Sequence, residues 1–193
     1  GYNTNWIVCI TLMALIFIGG IGFFVWGDLK EHKLHIRKYA LHTKIVLITS
    51  LILIIGPSIL FLILERHALF ADMNTPQAIL NALFCAVTPR TAGFNTTDIA
   101  SLSQSSQLLT IILMFIGGCP GSTAGGAKVT TITVLILYLR SMLTRTDGVN
   151  IFKRRLEDEA VSKAAAVFTT HMLLAVAATF LISMQQDLDL TVI

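Results

Sequence analysis

Uncharged apolar runs alternate with short charged connectors along the chain. Trp6 to Trp26 carries no charge over roughly 21 residues, enough to cross a hydrocarbon core as one helix with a Trp at each interface. Gly19, Gly20 and Gly22 inside it predict close helix packing, and the run stays helical in pattern through Ile21-Gly22-Phe23. Asp28 to Lys44 is charged. Ile45 to Leu64 reads as a second spanning helix, with Pro57 as a tolerated kink, and Glu65-Arg66-His67 marks its far interface. Pro76 to Val87 is apolar but makes only about 18 Å of helix against a core of about 30 Å. Thr75 is placed as its N-cap, Pro76 at its first position and Pro89 as its stop. So short a helix is either a buried surface element or a re-entrant half-helix. The turn-rich residues Thr88 to Thr96 favour the second.

Leu108 to Leu139 is too long and too rich in glycine for one straight helix. It reads as two half-helices, Leu108 to Ile116 and Val129 to Leu139, joined within the membrane by a small-residue loop. Arg140 to Lys163 is a second, mixed-charge connector read as a solvated surface. Ala164 to Met184 is the last spanning helix, followed by Asp187 and Asp189. Phe17-Ile18-Gly19-Gly20 recurs as Phe115-Ile116-Gly117-Gly118, and such internal repeats are a mark of transporter folds.

Composition agrees with this pattern. Charged residues are 13% of the chain and hydrophobic ones 54%, whereas a soluble domain carries about 25% charge; the mean hydropathy is +0.76. The chain has no basic leader, lacks an initiator Met and stops just past an apolar run, so both ends read as cuts through a larger protein. Five basic residues lie in the first connector and six in the second, while the opposite flanks hold Arg66 and Arg90. The positive-inside rule then makes the connectors 27–44 and 140–163 cytoplasmic in a multi-pass plasma-membrane protein, with the half-helix entering from outside. Cys9, Cys85 and Cys119 lack metal-ligand spacing and read as buried small residues.

The candidate chemistry sits at the two breaks. Non-helical backbone at membrane depth persists only where protein or a water path receives it. Thr91-Ala92-Gly93-Phe94 has the character of a cation filter. Glycine frees the backbone so that carbonyls can replace the water shell of potassium, and the C-terminal end of the half-helix favours a cation. Arg90 beside it either pairs with a carboxylate such as Asp98 or reaches the outer surface. The loop Gly117-Gly118-Cys119-Pro120-Gly121-Ser122-Thr123-Ala124-Gly125-Gly126 is either a break for tight packing or a gate below the filter. Lys128 either snorkels to the cytoplasmic face or anchors this loop to a carboxylate or carbonyl. The loop only nearly matches a phosphate-binding loop: Ala127 separates Gly126 from Lys128, Val129 follows, and the flank is a membrane helix, so nucleotide binding is rejected.

Two rival classes remain. An intramembrane enzyme needs a nucleophile–base pair or metal triad, and His171, the one histidine deep in a spanning run, has no carboxylate at suitable spacing on its helix. A membrane scaffold would use the basic connectors to bind acidic lipid or a partner.

Thr88-Pro89-Arg90-Thr91-Ala92-Gly93-Phe94-Asn95-Thr96, with Met114 to Gly126, resembles the membrane subunit of the Ktr/Trk/HKT potassium transporters, closest to the bacterial Ktr type. The resemblance covers essentially the whole chain. It implies an all-α membrane protein, a fragment of four helix–pore loop–helix repeats around one pore. Residues 1–34 would end repeat two and start a connector, 35–145 would be all of repeat three, and 146–193 would hold a connector and the first helix of repeat four. It implies that Thr91, Ala92, Gly93 and Phe94 form one quarter of a potassium filter and that the glycine loop is the intramembrane gate. It also implies a homodimer in lipid on a cytoplasmic ring of nucleotide-binding subunits, and sodium dependence in several members. No enzyme activity, resident cofactor or nucleic-acid partner is expected. Cys119 stands where Ser or Ala is expected, which puts loop packing in question.

Overall fold

The structure is a computed structural model that describes residues 4–33, 35–90, 92–145, 148, 150–151, 154–156 and 158–185. Among the described residues seven α-helices carry the fold: α1 (Trp6–Gly20), α2 (Phe23–His32), α3 (Leu41–Leu64), α4 (Thr75–Val87), α5 (Gln104–Phe115), α6 (Val129–Leu143) and α7 (Asp158–Gln185). A two-residue antiparallel pair, β1 (Asn150–Ile151) and β2 (Arg154–Arg155), interrupts the second connector. Ile151 from this pair is buried against Ile45 and Val161, so that connector is pinned to the helices rather than wholly solvated.

α3 and α7 are each long and apolar enough to cross a membrane alone. α3 is the spine. Ser50, Pro57, Ser58 and Phe61 are buried along it, and Ser58 Oγ donates back to the Ile54 carbonyl at 2.6 Å beside the proline. α4 packs on α3 through Ala78, Ala82 and Ala86, an i, i+4, i+8 stripe that faces Phe61. Small side chains let two helix axes approach closely where lipid offers no hydrophobic drive. The other side of α4 presents Leu80 and Phe84 to Cys9, Leu12 and Met13 of α1. The half-helix is therefore held between two longer elements. Its N-cap is Asn74, one residue earlier than Thr75, and Pro76 lies in the first turn, where its missing N–H costs nothing.

One element departs from the sequence pattern. Trp6 to Trp26 is not a single spanning helix. α1 stops at Gly20, and α2 sets off at 95° to it. Two features mark the break: Gly22 adopts φ +88, a left-handed conformation that ends a helix, and Phe23 donates its N–H outside the helix to Gly121, far along the chain. Both copies of the Phe-Ile-Gly-Gly repeat are therefore broken, and the two breaks touch.

Glu65, read as marking the far interface of the second span, is fully buried as the C-cap of α3. Its Oε1 accepts from the Ser103 N–H at 2.9 Å and from Ser103 Oγ at 2.6 Å. Ser103 is the N-cap of α5, so one carboxylate ties the end of α3 to the positive end of α5. Burial opposes the charge, but the hydrogen bonds from Ser103 and Ser106 outweigh it and hold the carboxyl below its ordinary range.

Candidate functional site

α4 does not end abruptly. Its last turn continues as Thr88 N–H to Phe84 O, Arg90 N–H to Val87 O and Ala92 N–H to Thr88 O. The Thr88 hydroxyl then donates to the Phe94 carbonyl at 2.7 Å and folds the following segment back on the helix end. Between these anchors Gly93 sits at φ +72. Among the described residues, its two chain neighbours aside, nothing lies within 4 Å of where its Cβ would stand, so a side chain there meets backbone strain rather than crowding. Gly93, Phe94 and Asn95 are exposed, whereas Thr88, Pro89 and Arg90 are buried. The turn thus has a fixed back and an open front. Thr91, the first of the four expected filter residues, lies outside the described residues.

Arg90 is buried and does not reach the outer surface. Its guanidinium turns inward, and Nη2 donates to the Ser50 carbonyl at 3.0 Å. Ser50 is the tenth residue of the 24 in α3, so this contact lies deep in the span. The Ser50 hydroxyl is 3.6 Å from Cys119 Sγ in the glycine loop. Ser50 and Cys119 are each 1% exposed. A single buried serine therefore touches both breaks, which are far apart in sequence.

The glycine loop is closed on itself. Ile116 and Ala127 form a parallel bridge, with Gly117 N–H to Ala127 O and Ala127 N–H to Phe115 O, both at 3.0 Å. Val129 N–H reaches the Gly118 carbonyl, and Lys128 Nζ donates to the Ala124 carbonyl at 2.6 Å. The approach is too close for a side chain at Gly117, whose Cβ would fall 1.6 Å from the Gly125 oxygen. Cys119 N–H donates to Gly20 O, and Gly121 O accepts from Phe23 N–H, so the loop rests on the bend between α1 and α2. Cys119 itself packs among Ile21, Val25, Val46 and Val129.

Sequence reasoning missed Ser50 and the Gly20–Phe23 bend as parts of this arrangement, and it placed Thr88 in the turn without a role for its hydroxyl. The bend had a signal, since the repeat pairs it with a segment already read as broken. A lone serine in an apolar run carried none. His171, the histidine weighed for chemistry, has its Nδ1 2.9 Å from the Val167 carbonyl of its own helix.

A family model described as "TrkH: Cation transport protein" matches residues 1–193. The chain is 36% identical over 190 residues to the potassium/sodium uptake protein NtpJ of Enterococcus hirae, covering 98% of this chain and 42% of that protein. It is 34% identical over 183 residues to the Ktr system potassium uptake protein B of Vibrio alginolyticus, covering 93% and 40%. The crystal structure of the potassium transporter TrkH from Vibrio parahaemolyticus superposes with a TM-score of 0.72 at 23% identity, over 92% of this chain and 39% of that one. This chain thus spans about two fifths of the length of such relatives.

Proposed function

The chain belongs to the TrkH family of cation transport proteins, and from that premise we propose that it supplies one quarter of a potassium filter and the gate beneath it. It is a transporter chain, not an enzyme, as its relatives' names agree. Residues 1–34 are proposed as the end of one repeat and a connector. Residues 35–145 form a complete helix–pore loop–helix repeat, and 146–193 lead into the next.

The observation that carries the reading is the Thr88–Asn95 turn: fixed behind by the Thr88 hydroxyl and by Arg90, open in front, with Gly93 at positive φ. On this reading the main-chain oxygens of Thr91, Ala92 and Gly93 face the ion and replace its water shell, while the Phe94 carbonyl of the same segment is held behind by the Thr88 hydroxyl. The α4 C-terminus adds negative potential from behind, and the inward turn of Arg90 keeps its charge on Ser50 rather than in front of the ion. Gly117 to Gly126 form the gate, and Lys128 is its anchor through Ala124. The connectors 27–44 and 140–163 face the cytoplasm. A second copy, a cytoplasmic ring of nucleotide-binding subunits and sodium stimulation complete the proposed assembly.

Two variants of the full-length transporter test this. Gly93→Ser lowers selectivity for potassium over sodium in isotope uptake; unchanged kinetics for both ions contradict the filter. Deletion of Gly121 to Gly125 raises flux, and equal or lower flux from folded protein removes the gate.

A further inference from the structure

The bend between α1 and α2 has a physical cost that the glycine loop offsets. A helix break at membrane depth leaves orphan groups: carbonyls on the last turn before it and N–H groups on the first turn after it. Here the Gly20 carbonyl, at the end of α1, accepts from Cys119 N–H at 3.0 Å. The Phe23 N–H, at the start of α2, donates to the Gly121 carbonyl at 3.1 Å. The loop thus uses one orphan acceptor and one orphan donor that the break creates. Gly22 between them admits no side chain, since a Cβ would stand 2.4 Å from the Pro120 oxygen.

We infer that Gly20, Gly22 and Phe23 are positioning residues that seat the gate loop across the path. The inference rests on the proposed gate. If the loop leaves, the Gly20 carbonyl and Phe23 N–H must find water or each other's helix. Release of the loop is therefore coupled to a change in the α1–α2 bend. α2 is also tied to α3: Val25, near the bend, packs on Val46, and Asp28, past the middle of the helix, accepts from the Ala40 N–H at 2.8 Å, at the cap of α3. On the proposed orientation this second tie lies on the cytoplasmic side. A displacement of the first connector at Asp28 therefore reaches the loop through one stretch of helix, Phe23 to Asp28.

The Phe23 N–H can be removed alone. Phe23 is the first residue of α2, where proline is compatible with a helix. Phe23→Pro deletes the donor, and Phe23→Ala keeps it while removing the same ring. In the full-length transporter in proteoliposomes, Phe23→Pro is expected to pass potassium at least threefold faster than Phe23→Ala. Equal or slower flux from Phe23→Pro of unchanged thermal midpoint overturns the seat. Should Phe23→Pro not fold, the pair Gly19→Cys and Thr123→Cys replaces it, in a chain whose other cysteines are removed. A Cβ on Gly19 lies 3.9 Å from Thr123 Oγ1, close enough for a disulfide. Oxidation is then expected to cut flux at least fivefold, with recovery on reduction; flux indifferent to oxidation overturns the seat. The Gly121–Gly125 deletion separates the two readings. If it raises flux while Phe23→Pro does not, the gate stands and the seat falls; if it fails to raise flux, the gate itself falls.

Discussion

Gly93 shows how a single backbone angle can carry a function. Its φ of +72 is open to glycine and, among other residues, most readily to Asn. Because, its two chain neighbours aside, no heavy atom of the described residues lies within 4 Å of its missing Cβ, conformation decides what it tolerates. Gly93→Asn should therefore keep more potassium selectivity than Gly93→Val in uptake by the full-length protein. The difference expected from about 1–2 kcal/mol of left-handed strain is roughly five- to thirtyfold; equal loss in both variants would instead point to crowding from the other repeats. Glu65 makes a second residue-scale case. Its folded carboxyl titrates below its ordinary value, so its contribution is full above the range in which an unfolded glutamate titrates. That contribution is lost as pH falls through the lower, folded value. Glu65→Gln should lower stability at pH 7 by about 1–3 kcal/mol, the worth of charge-assisted hydrogen bonds. Thermal unfolding in detergent should show the gap between the two proteins closing in acid. A gap that is constant with pH would assign Glu65 no charged role.

Helices were legible in the sequence where length or apolar pattern alone decided them. α3, α4 and α7 follow from their apolar runs, and the halves α5 and α6 follow from the glycines between them. α1 was misread because Trp6 to Trp26 has the length and composition of a span, and only contact with Gly121 and Pro120 turns its glycines into a break. The Arg90 contact was hidden for a related reason: its partner is a main-chain carbonyl in the middle of an apolar helix, and carbonyls leave no mark in a sequence. The alanine stripe on α4 gives a prediction at this scale. Ala82 is 1% exposed against α3, so Ala82→Leu overpacks the contact and should cost about 1–3 kcal/mol. A lower midpoint in thermal unfolding checks this, and an unchanged one would mean that α4 is not clamped as described.

As a whole, the chain exposes apolar surface that water would not tolerate. Leu173, Leu174 and Phe180 of α7 are each more than 60% exposed, and Ile7 of α1 is 79% exposed. Lipid and the remaining repeats are the proposed neighbours of these faces, in keeping with a chain that spans about two fifths of its relatives. One repeat can shape a turn but cannot encircle an ion, so the central claim belongs to the full-length transporter. Crystals of that protein grown in rubidium, a heavy stand-in for potassium, test it most directly through anomalous scattering. The account predicts a rubidium peak on the pore axis, about 3 Å from the main-chain oxygens around Gly93, as expected for carbonyls that replace an ion's water shell. Rubidium found elsewhere along the path, with those oxygens turned to bulk water, would contradict it.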